Sequence, residues 1–176
     1  DWITIQNFTM QERSFTPASA DTTAATNTMT EFGVALFYAT TTDGAQNCTI
    51  QNNTITLNRT YQNTFGIYSN STHSNANITA AAAGVGGGNS GLKIYGNTIS
   101  NVNMGIIVVG TTTAANYNTG IDIGGTASAT GNTMHTHIPP TSQIYRTEPQ
   151  GSTQLTMIQN TILLSHSFGG LSPPKC

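Results

Sequence analysis

The chain has 176 residues, a length that suits one domain with a sizeable hydrophobic core. Charged residues make up only 7% of the chain and the formal net charge is −2, which argues against a basic surface for nucleic acid. Thr, Asn, Ser and Gly are abundant, helix formers are scarce, and no apolar run approaches the about 18 residues of a membrane span, so we predict an all-β protein with no nucleic-acid partner and no membrane span.

A short triplet of alternating apolar and polar residues recurs along the chain. Its copies are Ile3-Thr4-Ile5, Cys48-Thr49-Ile50, Leu92-Lys93-Ile94, Ile121-Asp122-Ile123 and Leu155-Thr156-Met157. Four copies continue into Asn-Thr-(Ile/Met), at Asn53, Asn97, Asn132 and Asn160, and the first copy has Phe8-Thr9-Met10 there. A unit that recurs roughly every 30 to 45 residues indicates a solenoid, a propeller or an array.

A second motif alternates with the first, at Phe32-Gly33-Val34, Phe65-Gly66-Ile67 and Met104-Gly105-Ile106. The strand runs are short, no hairpin turn joins neighbouring copies, and no helical periodicity separates them. These features favour a right-handed parallel β-helix of about four to five coils. The long segments 11–31, 70–90 and 111–119 are then loop insertions between strands.

In such a stack, equivalent residues of successive coils lie above one another, about 4.8 Å apart. We therefore predict a ladder formed by Asn53, Asn97, Asn132 and Asn160, whose amides satisfy one another near the core. Asparagine also tolerates the left-handed backbone of a sharp bend between two sheets. Alternation places the first and third residues of each triplet inward, with Cys48 as a buried thiol, and the middle residues Thr4, Thr49, Lys93, Asp122 and Thr156 outward.

Alternation applied to the second motif divides its apolar residues between two faces. The predicted inward residues are Phe32, Val34, Leu36, Phe65, Ile67, Met104, Ile106 and Val108, and the predicted outward ones include Phe37, Tyr68, Ile107 and Val109. An outward apolar strip marks a partner or ligand site, unless the insertions of the chain itself cover it. Tyr38, Tyr61, Tyr68 and Tyr95 are candidate stacking platforms for a glycan.

Longer phrases of the sequence resemble the β-helix repeats of very large bacterial surface proteins exported by the type IX secretion route. The phrases are "MTEFGVALFYATTTDGAQNCTIQNNTITLN", "GIYSNSTHS", "SGLKIYGNTISNVNMGIIVVG" and "NTGIDIGGTASATGNT". The resemblance covers about residues 1–134 and implies a right-handed parallel β-helix in a secreted or cell-surface protein, with no established catalytic residue. Residues 135–176 do not match, and they are either a divergent last coil that caps the helix or a non-native tail.

Few residues could carry catalysis. Lys93 and Asp122 are outward neighbours in the predicted stack, which allows a cross-strand ion pair or a general base beside a basic residue. Parallel β-helices often carry carbohydrate-active enzymes, but a fold does not assign a function. We therefore favour a protein that is not an enzyme, and the alternative is a hydrolase or a polysaccharide lyase.

Two further pairs could ligate a metal. Glu12 and Glu31 meet if segment 11–31 folds back over the coil, and two carboxylates suit calcium. His135 and His137 have the spacing of metal ligands on an extended strand, which suits zinc. Calcium and zinc are thus the candidate cofactors, and the metal-dependent alternative is a small extracellular hydrolase.

The function that we favour is structural display or adhesion, with a carbohydrate or a cell surface as the partner. Open ends of a β-helix expose strand edges, so homo-oligomers through those ends are also expected. An ice-binding surface is a third hypothesis, because Thr4, Thr49 and Thr156 share an outward column. Lys93 and Asp122 interrupt that column, which argues against a flat threonine array there.

Overall fold

The computed structural model describes residues 1–12, 30–59, 63–72, 86–111, 116–136, 144–147, 155–157 and 161–164. In these residues the protein is all-β, and a short 3-10 turn spans Ser128–Thr130. The strands are β1 (Thr4–Gln6), β2 (Thr9–Gln11), β3 (Thr30–Leu36), β4 (Thr49–Gln51), β5 (Thr54–Thr56), β6 (Asn63–Ser69), β7 (Lys93–Tyr95), β8 (Thr98–Ser100), β9 (Met104–Val109), β10 (Ile121–Ile123), β11 (Thr133–Thr136), β12 (Ile144–Thr147), β13 (Leu155–Met157) and β14 (Thr161–Leu164).

The strands form three sheets, and every third strand belongs to the same sheet. Sheet A has the order β1-β4-β7-β10-β13, sheet B the order β2-β5-β8-β11-β14, and sheet C the order β3-β6-β9-β12. All neighbouring strands are parallel. The prediction of an all-β chain with stacked parallel strands is confirmed, and the arrangement is consistent with a parallel β-helix. No helix in the described ranges is long and apolar enough to cross a membrane.

In the first three layers, sheets A and B are joined at two-residue corners, and the first residue of each of these corners has a left-handed backbone. These residues are Asn7, Asn52 and Gly96, with φ of 60°, 55° and 60°. The ladder positions Asn53 and Asn97 follow Asn52 and Gly96 as the second corner residue. The prediction that the ladder asparagines themselves occupy the left-handed bend is therefore wrong: in these layers the preceding residue makes the bend, where asparagine or glycine lowers the steric cost of a positive φ.

The predicted ladder exists at the second corner position. Asn53, Asn97 and Asn132 are buried and hydrogen-bonded to one another in sequence. Asn160 lies outside the described residues. Because each amide is buried and paired with the next layer, the column ties successive layers together at the edge of the core.

The hydrophobic core runs along the inside of the stack. Its buried members from the triplets are Cys48, Ile50, Leu92, Ile94, Ile121 and Ile123, as alternation predicts, and the Cys48 thiol is free. Sheet B contributes Ile55, Ile99 and Met134. The middle residues of the triplets pair in the predicted outward column, Thr4, Thr49, Lys93, Asp122 and Thr156.

The inward residues of sheet C depart from simple alternation at a glycine. A Cβ on Gly66 would lie 2.5 Å from Ile99 Cγ2 in the core, and Ile67, the next residue, also packs in the core. Two successive residues thus face inward. The register pairs Phe32 with Phe65 and Val34 with Ile67, and the glycines between them are not ladder partners.

This break in alternation sends the residues before the glycines to the other side of sheet C. The prediction that Phe32, Phe65 and Met104 point into the main core is therefore wrong. They belong to a second cluster, the aromatic cluster, whose members are Phe32, Phe65, Tyr68, Met104, Ile107 and Val109. The inward positions of Val34, Leu36, Ile67, Ile106 and Val108 are confirmed.

The last strands extend each sheet by one member. Backbone pairs join β12 to β9, β13 to β10 and β14 to β11, all in parallel register. The strand ladders therefore continue beyond residue 134 as far as Leu164.

Candidate functional site

A groove opens where the end of β2 meets the start of β3 and contains two carboxylic acids. We call it the Glu12–Glu31 groove, and it has a volume of about 530 Å³. Its lining comes from two strands and one corner of the next layer, and it consists of Thr9, Met10, Gln11, Glu12, Glu31, Phe32, Gly33 and Leu57. The lining thus contains both polar and apolar residues.

The main chain at each glutamate is paired with a strand of the next layer. Glu12 directly follows β2, and its main-chain N–H donates to the Thr56 carbonyl oxygen at 3.0 Å. Glu31 is the second residue of β3 and pairs in register with Thr64 of β6. The main-chain N–H of Asn58 donates to Glu31 Oε2 at 3.4 Å. The structure thus brings together two glutamates that the sequence separates by a long segment.

The pKa of Glu31 is raised from its ordinary value of 4.5 to about 7. Partial burial is the largest cause, because it penalises the charged carboxylate. The negative charge of Glu12 and its hydrogen bond to Glu31 act in the same direction, while the Asn58 N–H opposes them. At neutral pH the Glu31 carboxyl group is therefore partly protonated.

Phe32, one of the lining residues, packs in the aromatic cluster. The Phe32 ring stacks on Phe65 with centroids 5.3 Å apart and an interplanar angle of 16°, and it also contacts Tyr68 at 5.2 Å. Phe32 itself is half-buried, whereas Thr9 and Gln11 are exposed. A lining that combines two glutamates with the apolar residues Met10, Phe32 and Leu57 suits a ligand that has both apolar faces and hydroxyl groups.

His135 and His137 are the remaining predicted metal ligands. His135 lies exposed on β11, and His137 is outside the described residues. Among the residues that the structure describes, no group of three or more His, Cys, Asp or Glu could hold a metal ion. Glu12 and Glu31 alone would offer calcium at most four of the 6–8 oxygen ligands that it takes.

Lys93 and Asp122 are neighbours in register, but the Asp122 carboxylate has other partners. Its Oδ2 accepts a hydrogen bond from the Tyr95 hydroxyl at 2.8 Å, and its Oδ1 accepts one from the Gly125 main-chain N–H at 3.1 Å. Burial and the adjacent Asp122 carboxylate raise the pKa of Tyr95 to about 12. Asp122 thus anchors the loop after β10 to the outer side of sheet A, while Lys93 is exposed.

The predicted stacking tyrosines have different surroundings. Tyr68 is fully buried in the aromatic cluster, and Asn70 Nδ2 donates to its hydroxyl at 2.8 Å, so the prediction that Tyr68 can stack on a glycan is wrong. Tyr38 and Tyr95 are half-buried, and Tyr61 lies outside the described residues. Of the predicted outward apolar residues, Ile107 and Val109 are buried in the aromatic cluster, and Phe37 is 40% exposed.

Sequence reasoning missed Phe32, Thr9 and Gln11 as neighbours of the glutamates. Alternation, when extended across Gly33, predicts that Phe32 points into the core. No local pattern marks the groove, since its two sides are brought together only by the stacking of layers.

It also missed a column of threonines on the outer side of sheet B. The register pairs Thr9 with Thr54, Thr54 with Thr98, Thr98 with Thr133, and Thr133 with Thr161. In the sequence, these threonines stand out only as members of the Asn-Thr-(Ile/Met) repeat and of its first copy, Phe8-Thr9-Met10. Unlike the Thr4 column of sheet A, this column has no charged member.

Comparison of the chain with protein-family models, curated protein sequences and solved structures finds no match.

Proposed function

We propose that the chain is a right-handed parallel β-helix module of a secreted or cell-surface protein, and that it serves structural display and adhesion to carbohydrate. The single observation that carries the proposal is the Glu12–Glu31 groove. The resemblance of residues 1–134 to surface-protein repeats and the low content of charged side chains support the extracellular location.

The lining of the groove supports a neutral sugar as the ligand. Carboxyl groups can donate to and accept from sugar hydroxyls, and Gln11 and Thr9 add neutral hydrogen-bonding groups at the rim. Met10, Phe32 and Leu57 are the apolar members of the lining and would supply the surface for the C–H face of a sugar ring. Because the Glu31 carboxyl group, with a pKa of about 7, is partly protonated at pH 7, the groove carries less negative charge than two ionised carboxylates would.

Affinity electrophoresis of the full chain in gels that contain soluble xylan, mixed-linkage glucan or galactomannan, all of them uncharged or nearly so, tests the proposal. At least one polysaccharide should retard the protein, and the double change Glu12→Gln with Glu31→Gln should weaken the interaction by about tenfold, or about 1.4 kcal/mol. Asp43→Asn is the control, because Asp43 is exposed and is not part of the groove. Retardation that survives the double change, or no retardation by any of the three, would contradict carbohydrate binding in the groove.

A second candidate function is a carbohydrate-active hydrolase or lyase, and the raised pKa of Glu31 favours it. A carboxyl group that is partly protonated near pH 7 can serve as a general acid. Hydrogen-bonded carboxyl groups are closer than the about 5–5.5 Å typical of retaining glycosidases, so Glu12 would modulate the acid rather than act as a nucleophile. Release of reducing ends that is lost in Glu31→Gln, while binding is retained, would favour the enzyme over the adhesion module.

The first layer of the stack supports self-association through one end. Trp2, Ile3 and Phe8 are 79%, 56% and 58% exposed there. A dimer through these residues would cover them and the edges of β1 and β2. Sedimentation at increasing concentration should show the dimer, and Phe8→Asn should weaken it; a monomer at all concentrations would contradict this part of the proposal.

A further inference from the structure

The outer side of sheet B presents polar side chains in two parallel columns, which we call the threonine face. The first column contains Thr9, Thr54, Thr98 and Thr133, and the second contains Gln11, Thr56, Ser100 and His135. Thr9, Thr54, Gln11 and His135 are exposed, and the other four are half-buried. The backbone register extends the first column to Thr161.

The face is regular in two directions. Neighbouring strands lie about 4.8 Å apart, and residues two apart in one strand lie about 6.6 Å apart, so the outward oxygen atoms approximate a rectangular grid. Threonine is stiff at χ1, which keeps equivalent hydroxyls aligned from layer to layer. In the second column, Thr56 Oγ1 lies 2.8 Å from Ser100 Oγ, and this hydrogen bond orders the two side chains.

Buried side chains of sheet B fix the register of the strands that carry the threonine face. The residue between the two columns on each strand points inward, and Ile55, Ile99 and Met134 are buried members of the core. A strand of sheet B cannot rotate or slip without exposing these side chains. The threonine face is therefore preorganised, and a ligand that matches it costs little ordering entropy on the protein side.

The chemistry of the face restricts the kind of ligand. None of its eight residues is Asp, Glu, Lys or Arg, and none is Trp, Tyr or Phe. Protein interfaces are usually anchored by aromatic and arginine side chains, which this face lacks. A single sugar chain would lack an aromatic ring to stack on. Threonine instead combines a hydroxyl that anchors water with a methyl group around which water loses orientational freedom.

We propose that the threonine face adsorbs to ice. A periodic solid built of uncharged hydrogen-bonding groups suits a face of this kind. Its first column presents only threonine hydroxyl and methyl groups, and its second column presents Gln11, Thr56, Ser100 and His135. The columns of sheet A provide the contrast within the same molecule, because Lys93 and Asp122 place charges in register between Thr49 and Thr156. The proposal does not rest on carbohydrate binding in the Glu12–Glu31 groove, although Thr9 and Gln11 belong to both surfaces.

The test measures thermal hysteresis and ice-crystal shape with the full chain. Thr54→Tyr places a bulky ring in the middle of the threonine face, and Thr54→Lys places a charge there that binds liquid water strongly. Thr49→Tyr and Thr49→Lys are the matched controls, because Thr49 occupies the same kind of outward strand position on sheet A. Far-UV circular dichroism and the melting temperature check that each variant is folded.

The expected result is faceted ice crystals and measurable hysteresis for the wild type and both Thr49 variants. Both Thr54 variants should need about tenfold more protein for the same effect, a change of about 1.4 kcal/mol in adsorption free energy. A wild-type protein without hysteresis overturns the proposal, as do folded Thr54 variants that match the wild type. If one Thr54 variant fails to fold, the hysteresis of the other Thr54 variant, compared with that of the wild type, decides the test. Binding to microcrystalline cellulose without any effect on ice would assign the face to a crystalline polysaccharide and would likewise overturn the proposal.

Discussion

The side-chain oxygen of Asn97 accepts two hydrogen bonds from Asn53, one from its main-chain N–H and one from its side-chain amide, both at 3.0 Å. Asn132 accepts the same pair from Asn97, at 3.0 and 2.9 Å. The second amide hydrogen of Asn97 is donated to the Ile50 carbonyl oxygen at 2.9 Å. The Asn97 side chain thus donates two hydrogen bonds and accepts two, and among the short side chains only asparagine has two amide hydrogens and a carbonyl oxygen.

We expect Asn97→Asp to destabilise the fold more than any exposed asparagine change. The carboxylate would lose both amide donors and would place a charge at a fully buried position, a cost of about 3 kcal/mol or more. Because burial favours the protonated acid, the variant should be less unstable near pH 4 than at pH 7. Urea unfolding at the two pH values measures the effect. Asn52→Asp, at the exposed corner position beside the ladder, is the control, and equal losses in both variants would contradict a special role for the column.

Stability should depend on pH through Glu31. Its folded-state pKa of about 7 lies above the ordinary value of 4.5, so folding favours the protonated acid. The contribution is fully present below pH 4.5 and is lost as the pH rises through 7. Urea unfolding between pH 4 and 8 should show this decline, and Glu31→Gln should flatten it.

Removal of the neighbouring charge should shift Glu31 only in part. In Glu12→Gln the pKa of Glu31 should fall but stay above 4.5, because burial, the largest cause, remains. Carboxyl ¹³C chemical shifts during a pH titration measure it directly. A pKa of Glu31 that does not change in Glu12→Gln would show that the two carboxyl groups do not interact in solution.

Gly66→Ala should cost more than Gly120→Ala, although only Gly120 has a positive φ, of 66°. The new Cβ at residue 66 would lie 2.5 Å from the Gly105 carbonyl oxygen, and the backbone of the next layer has no room to move. We expect a loss of about 2–3 kcal/mol at residue 66 and about 1 kcal/mol at residue 120, where the nearest atom is 3.7 Å away. Chemical unfolding measures both, and the reverse order would contradict the close approach of layers in sheet C.

The Tyr95–Asp122 hydrogen bond should be visible in the titration of the phenol. Asp122→Asn should lower the pKa of Tyr95 from about 12 toward its ordinary value of 10 without reaching it, because burial is the first cause of the shift. The measurement is the phenolate absorbance of the variant against that of the wild type. Asp43→Asn, which changes an exposed carboxylate elsewhere, should leave the titration unchanged. An unaltered curve in Asp122→Asn would mean that the hydrogen bond does not form.

The sequence by itself determined the all-β class, the parallel stacking of equivalent triplets and the asparagine column. The alternation of Cys48, Thr49 and Ile50 is a local property of one strand, and its repetition at Leu92 and Ile121 dictates which residues become neighbours in register. These predictions succeed because burying one face of each strand leaves few other ways to pair the copies.

Only the tertiary structure decided the meeting of Glu12 with Glu31, the side of sheet C to which Phe32 and Phe65 turn, and the burial of Tyr68. The first depends on the path between two layers, which local periodicity does not contain. The other two depend on Gly33 and Gly66, where the close approach of the next layer breaks the two-residue period. The physical reason is the same in each case: alternation describes one strand, whereas a groove or a cluster is a property of how several strands are stacked.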